Sequence, residues 1–355
     1  MRIDAQTLAE IELLRTSDGG GGVLGLIDRT ETVRGREALR RLLCAPPAIL
    51  LDVREAQAAV RFFAGKPAVP GIPDEALQGV GRYLDSNLAT TGSAPWGDRV
   101  AEIGLRIRYP EVHREMGEGV SWTRSLFRRL GRICEELLRR SPPTRVGSLA
   151  SQILKAGESV LDPGIGPRLL AMDRAYRGPL RPVIASALDA VGELDMWASQ
   201  GRFAASVDWA YPEFVDSDEF LLEARDLVHP LVEGAVGNPV GLTHDRPMIF
   251  LTGPNMAGKT TYLRAVGLLV VLGQVGLPVP ASRARLTPVD CLFTSLNPSD
   301  DPRAGLSYFM AEVHRVRDVA RLLAGGHRAL VLFDEVFKGT NVKDAVEASA
   351  EVISG

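Results

Sequence analysis

The stretch Gly253-Pro-Asn-Met-Ala-Gly-Lys-Thr260, GPNMAGKT in one-letter code, matches the pattern GxxxxGK[ST] at each fixed position. Its two glycines let the backbone curl so that successive N–H groups point inward toward phosphate oxygens. A helix beginning beside Lys259 would add its positive dipole end, Lys259 would reach the β- and γ-phosphates, and Thr260 would offer a hydroxyl to Mg²⁺. The sequence therefore predicts a nucleotide-binding loop. Its candidate nucleotide-binding residues are Gly253, Pro254, Asn255, Met256, Ala257, Gly258, Lys259, Thr260 and Thr261.

The segments around this loop supply the context that such a motif needs. PMIFLT, Pro247 to Thr252, is a short apolar run that predicts a buried strand, and a helix is predicted from Lys259 to about Val275. CLFTSL from Cys291 and ALVLFDE from Ala329 predict two more strands, with a helix from Ser307 to Leu323 between them. Strands and helices that alternate in this way indicate a mostly parallel α/β sheet.

The last of these predicted strands ends in an acidic pair, Asp334 and Glu335. At the carboxyl end of a buried strand, Asp334 can hold Mg²⁺ through water, and Glu335 can polarise an attacking water as a general base. Standing alone, the pair would be interpreted as a solvated strand exit. Because it lies downstream of a phosphate loop, it predicts a metal ligand and a catalytic base.

Ser307 lies in AGLSYFMAEV, Ala304 to Val313, where a helix is predicted to begin. Serine is a favoured N-cap residue, and the free N–H groups of a helix start point toward an anion. The residues alone leave two interpretations open. Ser307 either only caps its helix or also contacts a bound anion.

Composition and charge narrow the class of protein. The 355 residues are 45% hydrophobic and 24% charged, which is typical of globular protein. The net charge of −3 excludes a strongly basic nucleic-acid binder but permits a local basic face. The three separated cysteines fit a reducing compartment. No signal peptide is apparent, and the longest apolar stretch, near Ala265 to Val275, is too short to span a bilayer, so we expect a cytoplasmic protein.

Helical patterns dominate the chain before the loop. A periodic segment runs from about Thr32 to Leu43, and the pattern from about Asp74 to Gln200 is mostly helical. Near Phe203 the composition changes to short valine-rich stretches that suggest strands. We therefore predict two domains, a helical domain over residues 1–200 and a nucleotide-binding domain over residues 201–355.

A run of arginines falls within one predicted helical hairpin region. Its members are Arg124, Arg128, Arg129, Arg132, Arg139, Arg140 and Arg145. They could contact nucleic-acid phosphates, but with Glu135 and Glu136 among them a solvated helix face is the favoured interpretation. Trp122 and Phe127 are predicted to be core residues and not base-stacking platforms.

Four motifs together resemble the ATPase domain of the MutS family of DNA mismatch-repair proteins. They are TGPNMAGKTTYLR, QVGLPVPA, DDPRAGLSYFMAEV and LFDEVFKGTN, in the family's order and spacing. Nearer the N-terminus, DAQTLAEIELL and GLIDRTETVRGREALRRLL resemble the start of that family's helical core, or lever, domain, and ARDLVHPLVE resembles the segment that leads into the ATPase. The resemblance implies an α/β P-loop NTPase domain of the ABC-like type, preceded by an all-α core/lever domain.

The resemblance also implies an ATP site shared between the subunits of a homodimer. Lys259 and Glu335 would act on ATP within their own subunit, and Thr260 and Asp334 would hold Mg²⁺ there. Ser307 would contact the γ-phosphate in trans, across the dimer interface. The implied catalytic residues are thus Glu335, Lys259 and, from the partner, Ser307.

Several features depart from the family pattern. We expect the chain to begin directly at the core domain, without the N-terminal mismatch-recognition domain and with the clamp reduced or absent. We also expect the ATPase domain to be incomplete at its C-terminal end. The family's usual GRGTS interface loop is FKGTN here, which leaves the side-chain roles in that stretch open. Gly234 to Gly237 precede Asn238, where family members commonly have an aromatic residue next to the adenine.

The expected partner is DNA. The resemblance implies an ATP-dependent DNA-binding protein in which ATP binding and hydrolysis move the lever on mismatched or branched DNA during DNA repair. The alternative is a nucleotide-gated scaffold, or an ATPase that acts on structured RNA, without mismatch recognition. In either case we expect a cytoplasmic homodimer that associates through its ATPase domain and not with a membrane.

Overall fold

The computed structural model describes residues 1–15, 20–65, 71–86, 97–164, 168–254, 257–296 and 308–334. In chain order the elements are β1 (Arg2–Ile3), α1 (Ala5–Glu10), α2 (Gly22–Ile27), α3 (Val33–Cys44), α4 (Leu50–Ala64), α5 (Asp74–Asp85), α6 (Asp98–Arg108), α7 (Pro110–Arg139), α8 (Thr144–Leu161), α9 (Leu169–Arg177), α10 (Arg181–Ala204), β2 (Glu213–Phe214), β3 (Leu221–Leu227), β4 (Asn238–Thr243), α11 (Lys259–Gln274), β5 (Arg283–Leu286), β6 (Cys291–Ser295), α12 (Tyr308–Ala324) and β7 (Ala329–Phe333).

These elements divide into two compact units. The first unit comprises Met1–Asp28, Arg40–Val60 and Phe203–Gly355, and the second comprises Arg29–Leu39 and Arg61–Arg202. The single boundary predicted near residue 200 lies close to the last of these divisions. The structure differs in assigning two N-terminal segments to the unit that contains the predicted phosphate loop. Helical periodicity cannot reveal this assignment, because the core into which a helix packs depends on residues far away in sequence.

A three-stranded parallel sheet, in the order β1-β6-β7, lies in the first unit. Cys291 of β6 pairs with Arg2 on one side and with Ala329 on the other. The strands predicted at CLFTSL and ALVLFDE are confirmed as β6 and β7. β1 was not predicted, because two residues carry no detectable alternation of apolar and polar side chains.

A second sheet of the first unit has the order β2-β5-β3-β4 and is mixed. β2 is parallel to β5, whereas β3 is antiparallel to both β4 and β5. Leu222 of β3 pairs with Leu242 on one side and Leu286 on the other, and all three side chains are buried. These pairs give the sheet its apolar face.

Helix α11 is the central helix of the first unit. Ten successive residues, Ala265 to Gln274, are buried, which marks a helix surrounded by protein on all sides. At its end the Gln274 amide donates to the carbonyls of Pro47 (2.6 Å) and Val289 (3.1 Å) and accepts from Val289 N–H (2.9 Å). The amide is thereby satisfied where its burial would otherwise be costly. No helix in the described part of the chain is long and apolar enough to cross a lipid bilayer.

The strand predicted at PMIFLT, Pro247 to Thr252, is wrong. These residues form no ladder, and the exposed fraction of Phe250 is 68%. An apolar run becomes a buried strand only where a neighbouring strand accepts its backbone hydrogen bonds. Among the described residues no strand pairs with this segment, and local sequence cannot show whether such a partner exists.

The described elements of the second unit are helices, and its longest is α7. At 1.5 Å per residue this 30-residue helix is about 45 Å long. Its buried stripe includes Met116, Val120, Phe127 and Leu130. The prediction that Phe127 is a core residue is confirmed, with 1% exposed. The same prediction for Trp122 is wrong, since 47% of it is exposed.

A buried polar cluster ties α5 to α9 in the second unit. Asp173 accepts a hydrogen bond from the Tyr83 hydroxyl (2.8 Å) and two from the Arg177 guanidinium (2.9 and 2.6 Å). Asp173 has no exposed surface. Burial, followed by the charge of Asp173, raises the pKa of Tyr83, so its hydroxyl stays protonated and keeps donating.

We predict that Asp173→Ala destabilises the protein strongly. It removes the carboxylate that accepts from the buried Arg177 guanidinium and the buried Tyr83 hydroxyl, which should lower the free energy of unfolding by about 3–5 kcal/mol. The matched control is Asp85→Ala, which breaks the exposed pair with Arg181 and should cost less than about 1 kcal/mol. Urea unfolding followed by circular dichroism measures both values. Equal losses in the two variants would contradict the cluster's structural role.

Candidate nucleotide-binding site

The predicted phosphate loop leads directly into α11. Gly258 is the residue before the helix, and its φ of +86° lies in the left-handed region that favours glycine. No side chain caps this helix start. The first N–H groups of α11 therefore remain available to an anion, and the helix dipole adds positive potential there.

The ammonium group of Lys259 lies over the loop. Its Nζ donates to the carbonyl oxygens of Gly253 (2.7 Å) and Pro254 (3.3 Å), and the side chain is accessible to solvent. These two carbonyls hold the lysine across the mouth of the loop. A phosphate in the loop would meet a positive charge that is already in position, so the residues present fit a polyphosphate.

Thr260 and Asp334 are brought together although 74 residues separate them. The Thr260 hydroxyl donates a hydrogen bond to Asp334 Oδ2. The backbone N–H of Asp334 in turn donates to the carbonyl of Ser295 (2.9 Å), which fixes Asp334 at the end of β7 beside β6. A hydroxyl and a carboxylate in contact are two oxygen ligands of the kind that Mg²⁺ prefers.

Tyr262 in the first turn of α11 was not identified from the sequence as a site residue. Its hydroxyl donates to the carbonyl of Pro239 (2.8 Å) at the start of β4. The neighbouring Asn238 donates its side-chain amide to the carbonyl of Val236 (2.9 Å), and Val236 is exposed. The tyrosine thus fastens the first turn of α11 to the start of β4.

Several predicted site residues lie outside the described part of the chain. They are Asn255, Met256, Ser307 and Glu335, so their roles stay predictions. Within the described ranges, no three or more His, Cys, Asp or Glu side chains form a cluster that could hold a metal ion. The predicted Mg²⁺ ligands, Thr260 and Asp334, form a smaller set that leaves coordination positions for phosphate and water.

Comparison with known proteins places these residues in a known domain. Residues 249–354 match the family model described as MutS domain V. A DNA mismatch repair protein MutS from Granulibacter bethesdensis is 39% identical over 178 residues, which cover 48% of this chain and 19% of that relative. Residues 249–354 are therefore similar to domain V of the MutS family. The chain spans about a fifth of the length of that MutS relative, 19%.

The N-terminal segment is anchored to α12 by a polar network that the sequence did not predict. Arg315 of α12 forms a two-pronged ion pair with Asp4 and donates to the Thr7 hydroxyl (3.1 Å) and the Thr294 carbonyl (2.7 Å). Its guanidinium lies 3.7 Å from the centre of the Phe293 ring. The planar guanidinium can satisfy all these partners at once.

Two further acidic residues fasten the same N-terminal segment. Glu10 Oε2 accepts hydrogen bonds from the Thr294 hydroxyl (2.5 Å) and the Leu296 N–H (3.0 Å). Glu12 pairs with Arg264 of α11 at 2.9 Å. Residues 4–12 therefore hold β6, the phosphate-loop helix and α12 together, which positions both helices on the sheet.

The Asp4–Arg315 pair predicts a specific acid dependence of stability. Burial alone would raise the pKa of Asp4, but the hydrogen bonds from Arg315 and Thr7 outweigh it and hold this pKa below the usual value. A depressed pKa stabilises the folded state above the unfolded pKa, near 3.9 for aspartate, and the contribution is lost as pH falls through the folded value. We expect Asp4→Asn to flatten the fall in stability below about pH 4.

Chemical unfolding at a series of pH values, on the wild type and Asp4→Asn, measures this dependence. Arg315→Gln serves as the matched variant, since it removes the same interaction from the other side and should flatten the same part of the profile. Profiles of Asp4→Asn and wild type that run parallel down to pH 2.5 would show that Asp4 makes no such contribution.

Proposed function

We propose that this chain is a MutS-like, ATP-dependent DNA-binding protein. ATP binding and hydrolysis at the Gly253–Thr261 loop would be coupled to movement of the helical lever on mismatched or branched DNA during repair. The observation that carries the proposal is the contact between Thr260 and Asp334. It joins the two separate sequence motifs that a P-loop nucleotide site requires.

Different residues of the site would bind the phosphates, bind Mg²⁺ and activate the attacking water. The N–H groups at the start of α11 and the Lys259 ammonium hold the phosphates and balance their charge. Thr260 and Asp334 hold Mg²⁺, which when bound neutralises charge on the β- and γ-phosphates. Glu335, next to Asp334 in sequence, orients a water and takes its proton.

We further propose that the working form is a homodimer joined through the ATPase domain. Ser307 directly precedes α12, and the family pattern assigns it to the γ-phosphate of the partner subunit. Support comes from the network around Arg315, because a residue that acts across an interface must be presented by a firmly positioned helix. In this proposal the core/lever domain lies within residues 1–200 and the ATPase domain within residues 201–355, although Met1–Asp28 and Arg40–Val60 belong to the same compact unit as Phe203–Gly355.

DNA is the proposed partner because of the family and the distribution of charge. The matched relative is named a DNA mismatch repair protein. On α7, Arg128, Arg129 and Arg132 are exposed, whereas Arg139 and Arg140 pair with Glu136. Of the predicted arginine run, Arg128, Arg129 and Arg132 are therefore the residues best suited to contact DNA phosphates.

Two substitutions separate ATP binding from hydrolysis. Lys259→Ala should abolish nucleotide binding, because it removes the ammonium group that lies over the loop. Glu335→Gln should leave binding intact and lower the hydrolysis rate by at least about 100-fold, because an amide cannot accept the proton from water. Fluorescent ATP-analogue binding and phosphate release measure the two effects.

The matched control for both is Lys155→Ala, which removes a lysine from α8 in the other unit and should alter neither quantity. Hydrolysis at the wild-type rate in Glu335→Gln would exclude Glu335 as the base. Unchanged nucleotide binding in Lys259→Ala would contradict the assignment of the loop.

A further inference from the structure

A cavity of about 650 Å³ opens on the second unit between α5 and α7. We call it the Trp122 cavity. Its lining includes the residues on which the ligand-binding argument rests, namely Gln78, Gly79, Arg82, Trp122, Ser125 and Arg129. Its volume lies within the range of sites that hold a small organic ligand. It shares no lining residue with the nucleotide-binding site of the first unit.

The indole of Trp122 is supported on one side and accessible on the other. A Cβ built on Gly79 would lie 3.2 Å from Cε3 and 3.4 Å from Cζ3 of the indole, so the six-membered ring rests directly on the α5 backbone. Even so, 47% of the tryptophan is exposed. A large aromatic surface that is held in place and open to solvent is suited to stacking with another flat ring.

Two arginines flank this ring at opposite ends. Gly79 of α5 lies beside Trp122, and Tyr83 of α5 lies beside Gly119, so α5 and α7 run antiparallel. Arg82 therefore lies toward the start of α7. Arg129 follows Trp122 by about two helical turns, or about 10 Å. A ring stacked on the indole would have a guanidinium group on either side.

The charge of the lining is positive. The lining contains two arginines, Arg82 and Arg129, and one carboxylate, Glu75. Arg129 donates to the carbonyl of Gly71 (2.6 Å), and in the described part of the chain neither arginine forms a salt bridge. Exposed Arg128 and Arg132 extend the positive charge along α7, while Glu118 lies outside the lining, a turn before Trp122. The cavity is therefore complementary to a ligand that combines a flat ring with negative charge.

We propose that the Trp122 cavity binds an unpaired nucleotide within a single-stranded stretch of DNA. The base stacks on Trp122, and the phosphates on its two sides contact Arg82 and Arg129. The side-chain amide of Gln78 donates a hydrogen bond to Asp74 (2.7 Å), so its carbonyl oxygen can accept a hydrogen bond from the base edge. The Ser125 hydroxyl can donate or accept a hydrogen bond. An acidic peptide would use the arginines but would leave the indole without a stacking partner.

This inference rests on the DNA-binding part of the proposed function and adds a preference for unpaired bases. It concerns a different unit from the ATP site and requires no nucleotide in that site. Stacking would give little sequence preference, since every base has a π-face. The phosphate contacts would make the affinity depend on salt.

The test compares fluorescently labelled oligo-dT with a duplex of equal length by fluorescence anisotropy, using the full chain at two salt concentrations. Trp122→Ala should weaken oligo-dT binding roughly tenfold, and Trp122→Phe, which keeps a ring, should weaken it less than about threefold. Duplex binding should be unchanged in both. The matched aromatic control is Tyr109→Ala, which removes an exposed ring that does not line the cavity and should leave oligo-dT binding unchanged.

The arginines give a second readout. Arg82→Ala and Arg129→Ala should each reduce the salt slope of oligo-dT binding by about 0.7, the value for one single-strand phosphate contact. Arg106→Ala, which removes an exposed arginine of α6 outside the lining, should leave the slope unchanged. Thermal unfolding of every variant checks that folding is retained, and Trp122→Phe keeps the test valid if Trp122→Ala fails to fold.

The possible outcomes distinguish failure of the cavity assignment from failure of the proposed DNA-binding function. Equal loss of oligo-dT and duplex binding in Trp122→Ala, or no loss of either, would overturn the cavity assignment while leaving DNA binding in place. Displacement of oligo-dT by poly-glutamate, with binding of that peptide also dependent on Trp122, would identify an acidic peptide as the occupant and overturn it as well. Wild-type protein that binds neither DNA form at low salt, with ATP present, would instead overturn the proposed function.

Discussion

The arrangement of the first unit depends on bringing the end of β7 to the start of α11, where Asp334 meets Thr260. A hydroxyl in one motif and a carboxylate in another can act on one metal ion only if the fold closes the 74-residue separation between them. Pairing of β7 with β6, and the hydrogen bond from Asp334 N–H to Ser295, fix the carboxylate. Burial of Ala265 to Gln274 fixes the helix α11, whose first turn carries the hydroxyl. The candidate site is thus a consequence of packing around α11.

Residues 4–12 act as a brace for that packing. Asp4, Glu10 and Glu12 each satisfy a partner on a different element, namely Arg315 on α12, Thr294 on β6 and Arg264 on α11. Partly buried charged groups of this kind add little net stability when paired but cost several kcal/mol when one partner is removed. Their effect is to favour one arrangement of the helices on the sheet. The N-terminal segment therefore belongs to the same compact unit as α11 and α12 despite its distance from them in sequence.

Local patterns in the sequence were sufficient for the elements with a strong local signal. The apolar runs at Cys291 and Ala329 are strands, and the glycine–lysine motif begins a helix at Lys259. Features set by distant partners were not accessible. β1 forms because it pairs with β6. PMIFLT is exposed because no described strand pairs with it. Trp122 is exposed and Phe127 is buried, although both are large aromatic residues of the same helix, α7. The contacts of residues 4–12 could not be predicted either, since nothing in the local sequence distinguishes Asp4 from a simple helix cap.

We propose that Thr260 and Asp334 together hold the magnesium that accompanies ATP. The most direct test of this proposal is calorimetric titration of the full chain with ATP at increasing Mg²⁺ concentration, in the wild type and in Asp334→Ala. The account predicts that ATP affinity rises with Mg²⁺ in the wild type, while the variant binds ATP weakly and with little response to Mg²⁺. No heat of ATP binding to folded wild-type protein, or the same Mg²⁺ response in both proteins, would contradict it.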